Sequence, residues 1–478
     1  MRAGAQGWRS SRGLGAAASA SAPPLPQPLP QPLPRAGRLR PQGEVAPVSG
    51  ARFPRLEERF AWPWQGVDYS PAYLCFLLYF FIICSYVVNL GQAAMGAAIL
   101  AITMGSKDRW RFPAPMFLMA AFMVIITLTF KSSAYRNYVW APLEDMYKVF
   151  LIMLVGISVL NSRPRLRFFM FFALGTYALF PVRGGVFNWF IYSAATQGRV
   201  AWNNLFLNPN DYAALMLFPL GLCLVVFTGE RSKIIKQLSF VGLAVMPMII
   251  FMTQSRGAII ALAAGGLAYL VLQGKGRAKA ILAVGGIAVV VVVFAPSSVW
   301  SRLSSLKSAG ESGNLETAND NRSAEQRFEI WKVAWNVHNA YPITGVGWAA
   351  YPNAHSDFSR RSGIDVIARG ARDAHNTYLS VLAETGWVGF TLWSGMLALI
   401  VMPAIRAMQR VRAYAPEYAQ QIKLLLLSLL AYGVCAVFGS FAAMSFTYLH
   451  LATIAALTTV TNAEIDAFQH GARQRRGT

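Results

Sequence analysis

Apolar runs recur along the chain at lengths that leave few folds open. They lie at 71–89, 91–105, 114–130, 143–160, 168–182, 211–228, 238–253, 257–273, 281–295, 387–405, 424–441 and 446–462. Runs of about 15 to 20 apolar residues suffice to cross a hydrocarbon core as helices. None alternates polar and apolar residues as the strands of a barrel do. Hydrophobic residues are 55% of the 478 and charged ones 13%, far from the balance of a soluble domain. The expected fold is all-α: a polytopic membrane protein of about twelve transmembrane helices, with a large loop between spans 9 and 10. Cys75, Cys84, Cys223 and Cys435 lie inside apolar runs without ligand spacing, so neither a disulfide framework nor a zinc site is expected.

The formal net charge of +22 would suggest nucleic acid in a soluble protein. Here the basic residues sit in alternate short connections, as in Lys107, Arg109 and Arg111, or Arg163, Arg165 and Arg167, or Arg231, Lys233 and Lys236. Threading twelve spans from a cytoplasmic N-terminus puts all of these on one side, which the positive-inside rule assigns to the cytoplasm. Membrane lipids with anionic headgroups are then the simpler partner, and no nucleic acid is expected. Residues 1–60, with the run PLPQPLPQPLP, bury too little apolar surface to fold and read as a disordered cytoplasmic tail. Sequence upstream of the true start codon and a proline-rich docking ligand are the other readings of that segment. Residues 61–295 carry spans 1 to 9, 296–386 the loop domain with its own helices, 387–462 spans 10 to 12, and 463–478 a cytoplasmic tail.

The opposite side holds three stretches: 183–210, the turn 253–257, and the long loop, whose nine basic and nine acidic residues cancel. A loop of that length is usually functional. Within it, Glu325 to His338 reads as a helix with Phe328, Trp331 and Trp335 on one face, which would pack on the span bundle or, in the other reading, lie on the bilayer surface. Near its end the run RGARDAHNTYLSVLAETGWVGF, residues 369–390, sets two arginines, an aspartate, a histidine and an asparagine just ahead of an apolar segment. A helix is expected to start near Asn376, break near Gly386 and restart into the membrane. His375 then stands at the water boundary, where an imidazole exchanges protons near neutral pH. An interfacial anchor is the plainer reading of the same residue.

Arginine on this side needs a local reason. Arg256, in QSRGA, sits between two apolar runs, at a depth that is costly unless it meets an anion or water. Snorkelling to a lipid phosphate is its alternative. Arg199 precedes Asn208-Pro209-Asn210-Asp211, a turn expected to cap the sixth span at Asn210 or Asp211. Arg327 opens the amphipathic turn before Trp331, where a solvated helix-face charge is the alternative. Together, three arginines and a histidine on one face suggest a pocket for a phosphorylated, lipid-linked substrate, because a guanidinium fork holds two phosphate oxygens and stays charged. Such a leaving group can be stabilised without a metal. Asp357 and Asp373 remain the acids that could ligate one.

His375-Asn376, nine residues, Gly386, two residues, Gly389 resembles the signature of the bacterial O-antigen ligase family. The Ser255-Arg256-Gly257 turn, the Gly198-Arg199 and Asn208-Pro209-Asn210 segment, and the stretch from Arg327 to Gly347 are similar to that superfamily in order and spacing, over roughly residues 70–460. The resemblance implies a glycosyltransferase of C-type architecture in the bacterial inner membrane, with a periplasmic loop and active site. Its donor would be an undecaprenyl-diphosphate-linked glycan and its acceptor a sugar hydroxyl of lipid A-core. By the same resemblance Arg256 and Arg327 would bind the donor diphosphate, Arg199 would be a further donor contact, and His375 would be the general base. No cofactor is implied. Polymerases and protein O-oligosaccharyltransferases of the superfamily share this donor site. A twelve-span secondary transporter is the rival of a different class, but the long loop lies late in the chain and no half-to-half repeat is evident.

Overall fold

The computed structural model describes Phe53 and residues 62–105, 107–191, 198–273, 278, 281–282, 285–286 and 315–477, with the side chains of the loop helix from residue 326 onward. The expected ninth span, at 281–295, falls largely outside them, as does the tail 1–60 apart from Phe53. Phe53 itself is buried against Tyr414, Tyr418 and Phe468, so at this residue the tail reading gives way to packing.

Among the described residues the architecture is helical. The elements are α1 (Pro71–Ser85), α2 (Gly91–Thr103), α3 (Ala114–Ser132), α4 (Arg136–Val159), α5 (Arg163–Tyr177), α6 (Arg183–Phe190), α7 (Pro209–Leu215), α8 (Leu217–Gly229), α9 (Lys233–Met252) and α10 (Arg256–Val271). After the long loop begins come α11 (Leu315–Ala340), α12 (Tyr351–Ser359), α13 (Thr377–Val411), α14 (Pro416–Cys435) and α15 (Ser445–Gly477). Several starts follow directly from the residues: Ser70, Asn208 and Asn376 accept backbone N–H groups at the heads of α1, α7 and α13, and Pro71 and Pro209 lie at first helical positions. The α7 cap is thus Asn208, two residues ahead of the earliest residue expected.

Among the described residues six segments are long and apolar enough to cross a membrane: Ala114–Lys131, Arg163–Phe190, Pro209–Gly229, Lys233–Met252, Thr377–Val411 and Pro416–Cys435. The protein is a multi-pass membrane protein, but the twelve spans read from the apolar runs are not all of that kind. The first two runs form helices of 15 and 13 residues, about 20 Å each at 1.5 Å per residue, short of a ~30 Å core. The run at 168–182 continues through a π turn at Ala178–Val182 into α6. The runs at 143–160 and 446–462 lie within the longer helices α4 and α15.

Small residues let the helices approach. A Cβ on Gly221 would lie 2.5 Å from Ser428, and one on Gly265 3.0 Å from Ala431, so α14 packs tightly on both α8 and α10. The heads of α7, α10 and α13 and the segment after α14 meet at one end of the bundle, with α11 and α12 joined to it.

Candidate functional site

At the head of α13, Asn376 accepts from the amides of Tyr378 (3.0 Å) and Leu379 (3.2 Å). Thr377 locks this start to the segment after α14: its amide donates to Ala436 O (2.8 Å) and its hydroxyl to Gly439 O (2.7 Å). The residue before the cap, His375, is held at φ 45°, in the left-handed region that a β-carbon disfavours. Its neighbours hold it there. Trp331 of α11 donates its indole N–H to Ala374 O (2.9 Å), and Ser440 donates to Asp373 Oδ1 (2.9 Å). The other Asp373 oxygen lies 3.8 Å from His375 Nδ1, and the imidazole remains 48% exposed.

Ten residues into α13 the helix is interrupted at Gly386 (φ 61°, ψ −166°). The segment Pro342–Gly347 crosses here and takes over the broken ladder. Trp387 N donates to Pro342 O (2.8 Å) and Val388 N to Ile343 O (3.3 Å), while Val346 N and Gly347 N donate to Ala383 O (3.1 Å) and Glu384 O (2.9 Å). Backbone runs against backbone: a Cβ on Gly386 would lie 2.3 Å from Ile343 C, and one on Gly345 2.2 Å from Glu384 C. Gly389 leaves room for Thr385, whose hydroxyl turns back to Val381 O (2.6 Å). The spacing from histidine to the two glycines is therefore one capped turn, one crossing and one cleared side chain.

Arg256 opens α10, and Gly257 beside it lies so close to Phe438 that a Cβ would come within 2.5 Å. Arg199 serves the same turn from behind. Its Nε donates to Thr253 O (2.7 Å) and an Nη to Asn210 Oδ1 (2.7 Å), while Gln254 donates to Gly198 O (3.0 Å). Two of its nitrogens thus hold protein, which fits support of the turn better than a direct grip on a donor.

Arg327 joins these groups electrostatically. Burial, and then the charge of Arg256, hold its pKa below the ordinary value. The His375 pKa is also lowered, mainly because surrounding protein desolvates the cation. Asp373 pulls it up, while Arg327 and Arg372 add to the lowering. Arg256 thus acts on Arg327, and Arg327 and Asp373 act on His375, which sets the three residues within electrostatic reach as a chain, with Asp373 beside the imidazole. Asp211, at the head of α7, also feels Asp373. An imidazole kept neutral can accept a proton, and two neighbouring guanidinium groups favour an anion between them.

Sequence reasoning placed His375, Arg256 and Arg327 in one site, and in the structure Arg327 interacts electrostatically with both of the others. It considered Asp373 only as a metal ligand, although its place two residues before the histidine was a signal for pairing. Trp331 and Ser440 were missed as supports, because both act across the fold. Asp357 accepts from the Tyr135 hydroxyl (2.8 Å). Of the two readings of the aromatic face on α11, packing on the bundle does not hold for Phe328 and Trp335, which are exposed, whereas Ile330, Val333, Ala334 and Val337 are buried. Among the described residues no three His, Cys, Asp or Glu side chains converge as a metal site would require.

No curated protein matches the chain. Residues 241–394, which span α9, α10, the loop helices and the kinked first half of α13, match the family model Wzy_C, O-antigen ligase. Arg256, Arg327, His375, Gly386 and Gly389 all fall within that match, which supports membership of the O-antigen ligase/polymerase superfamily.

Proposed function

We propose that this protein is an O-antigen ligase of the bacterial inner membrane. It moves a glycan from undecaprenyl diphosphate to a sugar hydroxyl of lipid A-core at a site facing the periplasm, and the product is lipopolysaccharide. The observation that supports this reading best is the electrostatic chain from Arg256 through Arg327 to His375, two cations and a neutral base.

In this mechanism Arg256 and Arg327 hold the diphosphate as forks. His375 takes the acceptor proton as the hydroxyl oxygen attacks the anomeric carbon. The bond to the diphosphate oxygen breaks on the opposite side, so the carbon inverts, and the departing charge stays on the two guanidinium groups. Asp373, facing Nδ1, favours the tautomer that carries its proton there and leaves Nε2 to accept. Arg199 acts by fixing the turn that presents Arg256. The reaction in this reading is independent of a metal ion.

The test is reconstitution of the purified full chain with undecaprenyl-diphosphate glycan and lipid A-core. Transfer should survive a chelator, and Arg256→Lys should weaken it at least tenfold, since a point charge replaces a fork. Polymer growing on the lipid carrier with lipid A-core left bare would make the protein a polymerase instead. Glycan appearing on a protein serine would make it a protein O-oligosaccharyltransferase.

A further inference from the structure

One face of α12 is polar and yet fully buried. Tyr351, His355 and Ser359 recur there at i, i+4 and i+8, and each is 0% exposed. Polar groups persist in such a place only where hydrogen bonds offset their lost water. Tyr351 Oη donates to Ile330 O of α11 (2.8 Å) and the Tyr351 amide to Glu384 Oε1 of α13 (3.4 Å), which seats the helix. His355 and Ser359 turn instead to a single residue, Gly370: His355 Nδ1 lies 2.7 Å from Gly370 O, and Gly370 N donates to Ser359 Oγ (3.4 Å). Both backbone groups of Gly370 are thus taken by α12, at a residue whose φ of 90° suits glycine.

Gly370 stands five residues before His375, and the segment between them is also held at its far end, by Trp331 on Ala374 O and by Ser440 on Asp373. Arg372, inside the segment, acts electrostatically on both histidines. We propose that His355 is a positioning residue for the transfer reaction: by holding Gly370 it fixes the path of residues 370–375, and so the direction in which the imidazole of His375 meets the acceptor hydroxyl. This rests on the reading of His375 as the base and adds what aims it.

The chemistry of the contact narrows what can replace it. A carbonyl only accepts, so the proton of a neutral His355 sits on Nδ1, while Nε2, buried and without a hydrogen-bond partner among the described residues, is a bare acceptor. Burial lowers the pKa of this imidazole, the bond to Gly370 raises it and Arg372 adds to the lowering, so the ring is neutral at neutral pH. Only the donor at the δ position then matters. Asn carries an N–H at that position and Gln carries its own one bond farther out, so Asn should keep the grip on Gly370 and Gln should lose it.

The test uses the full chain in nanodiscs and the reconstituted transfer reaction. His355→Gln should lower kcat about tenfold to a hundredfold, the scale of a misplacement of about 1 Å, with little change in KM for the donor. His355→Asn should retain most of the wild-type rate. A second measurement needs no turnover: only neutral imidazole reacts with diethyl pyrocarbonate, so the pH dependence of His375 labelling, followed by peptide mass spectrometry, reports its pKa. The charges acting on His375, Asp373 and Arg372 from its own segment and Arg327 from α11, are untouched by these variants. Burial first, and then the balance of those charges, hold the pKa down, so a released segment should move the labelling midpoint up toward ~6.5 in His355→Gln and leave it in place in His355→Asn. If His355→Gln does not accumulate, Ser359→Ala, which removes only the acceptor of the Gly370 amide, should show the same upward move in smaller measure. Equal rates and equal midpoints for Asn and Gln, or parallel losses of rate and Tm in both, overturn the inference. A fully active His375→Ala protein would instead sink the base assignment, while the labelling midpoints still tell whether His355 holds His375.

Discussion

His375 has to be uncharged to accept a proton, and its surroundings push it that way. Desolvation and two arginines lower its pKa from the ordinary ~6.5, against Asp373, which raises it. The sign for activity follows. The protonated imidazole is inactive as a base, so kcat/KM should fall as pH drops through the histidine's pKa, with the midpoint of that acid limb below ~6.5. Asp373→Asn removes the one contribution that raises the pKa, so the limb should move lower still while turnover drops through lost orientation. A pH profile of the reconstituted reaction checks both, and a wild-type midpoint above neutrality would contradict them. His375→Ala should cost about 10² to 10⁴ in rate while the protein still inserts and purifies; near-normal turnover would remove it as the base. The histidine itself was legible from its motif. Its state was not, because Arg327 and Trp331 reach it from more than 40 positions away.

Among the elements, α13 shows how a motif becomes geometry. Asn376 and Gly386 were readable as a start and a break, and both lie where expected. The partner of the break was not readable. An interrupted helix leaves amides and carbonyls that must be paired, and Pro342–Gly347 pairs them. Gly386→Ala places a methyl against the Ile343 backbone at a φ of 61°, a conformation that alone costs about 1–3 kcal/mol, with the clash in addition. Thermal unfolding in detergent should show a marked fall in Tm, along with lost transfer, since the crossing also anchors the loop. An unshifted Tm would mean that the kink is not what joins loop and span. The packing expected of the aromatic face of α11 does not hold for Phe328 and Trp335, for a related reason: spacing finds a face of the helix, but only the neighbours decide which face is buried.

At the scale of the whole molecule, the basic cluster at the head of α5 is part of the scaffold. Arg163 pairs with Glu464 (2.6 Å), Arg167 with Glu230 (2.8 Å), and Arg165 with Asp108, all three arginine side chains being buried. Lipid headgroups, the partner expected for this cluster, are replaced by acids from the connection before α3, the end of α8 and α15. Removing one member of a buried pair strands the other, at about 3–5 kcal/mol. Asp108→Ala should therefore lower Tm sharply, whereas Lys107→Ala, whose contact with Asp68 is exposed, should leave it nearly unchanged. Equal effects would argue against a structural network. The division of labour is physical. Apolar length, basic connections and the histidine–glycine spacing are local properties, so the chain alone specified a helical membrane protein and a resemblance that the family match over residues 241–394 supports. Charge partners, the buried face of each helix and the strand-like crossing at Gly386 arise from contacts between residues distant in sequence. Those contacts exist only once the helices have packed, and the tertiary structure alone decided them.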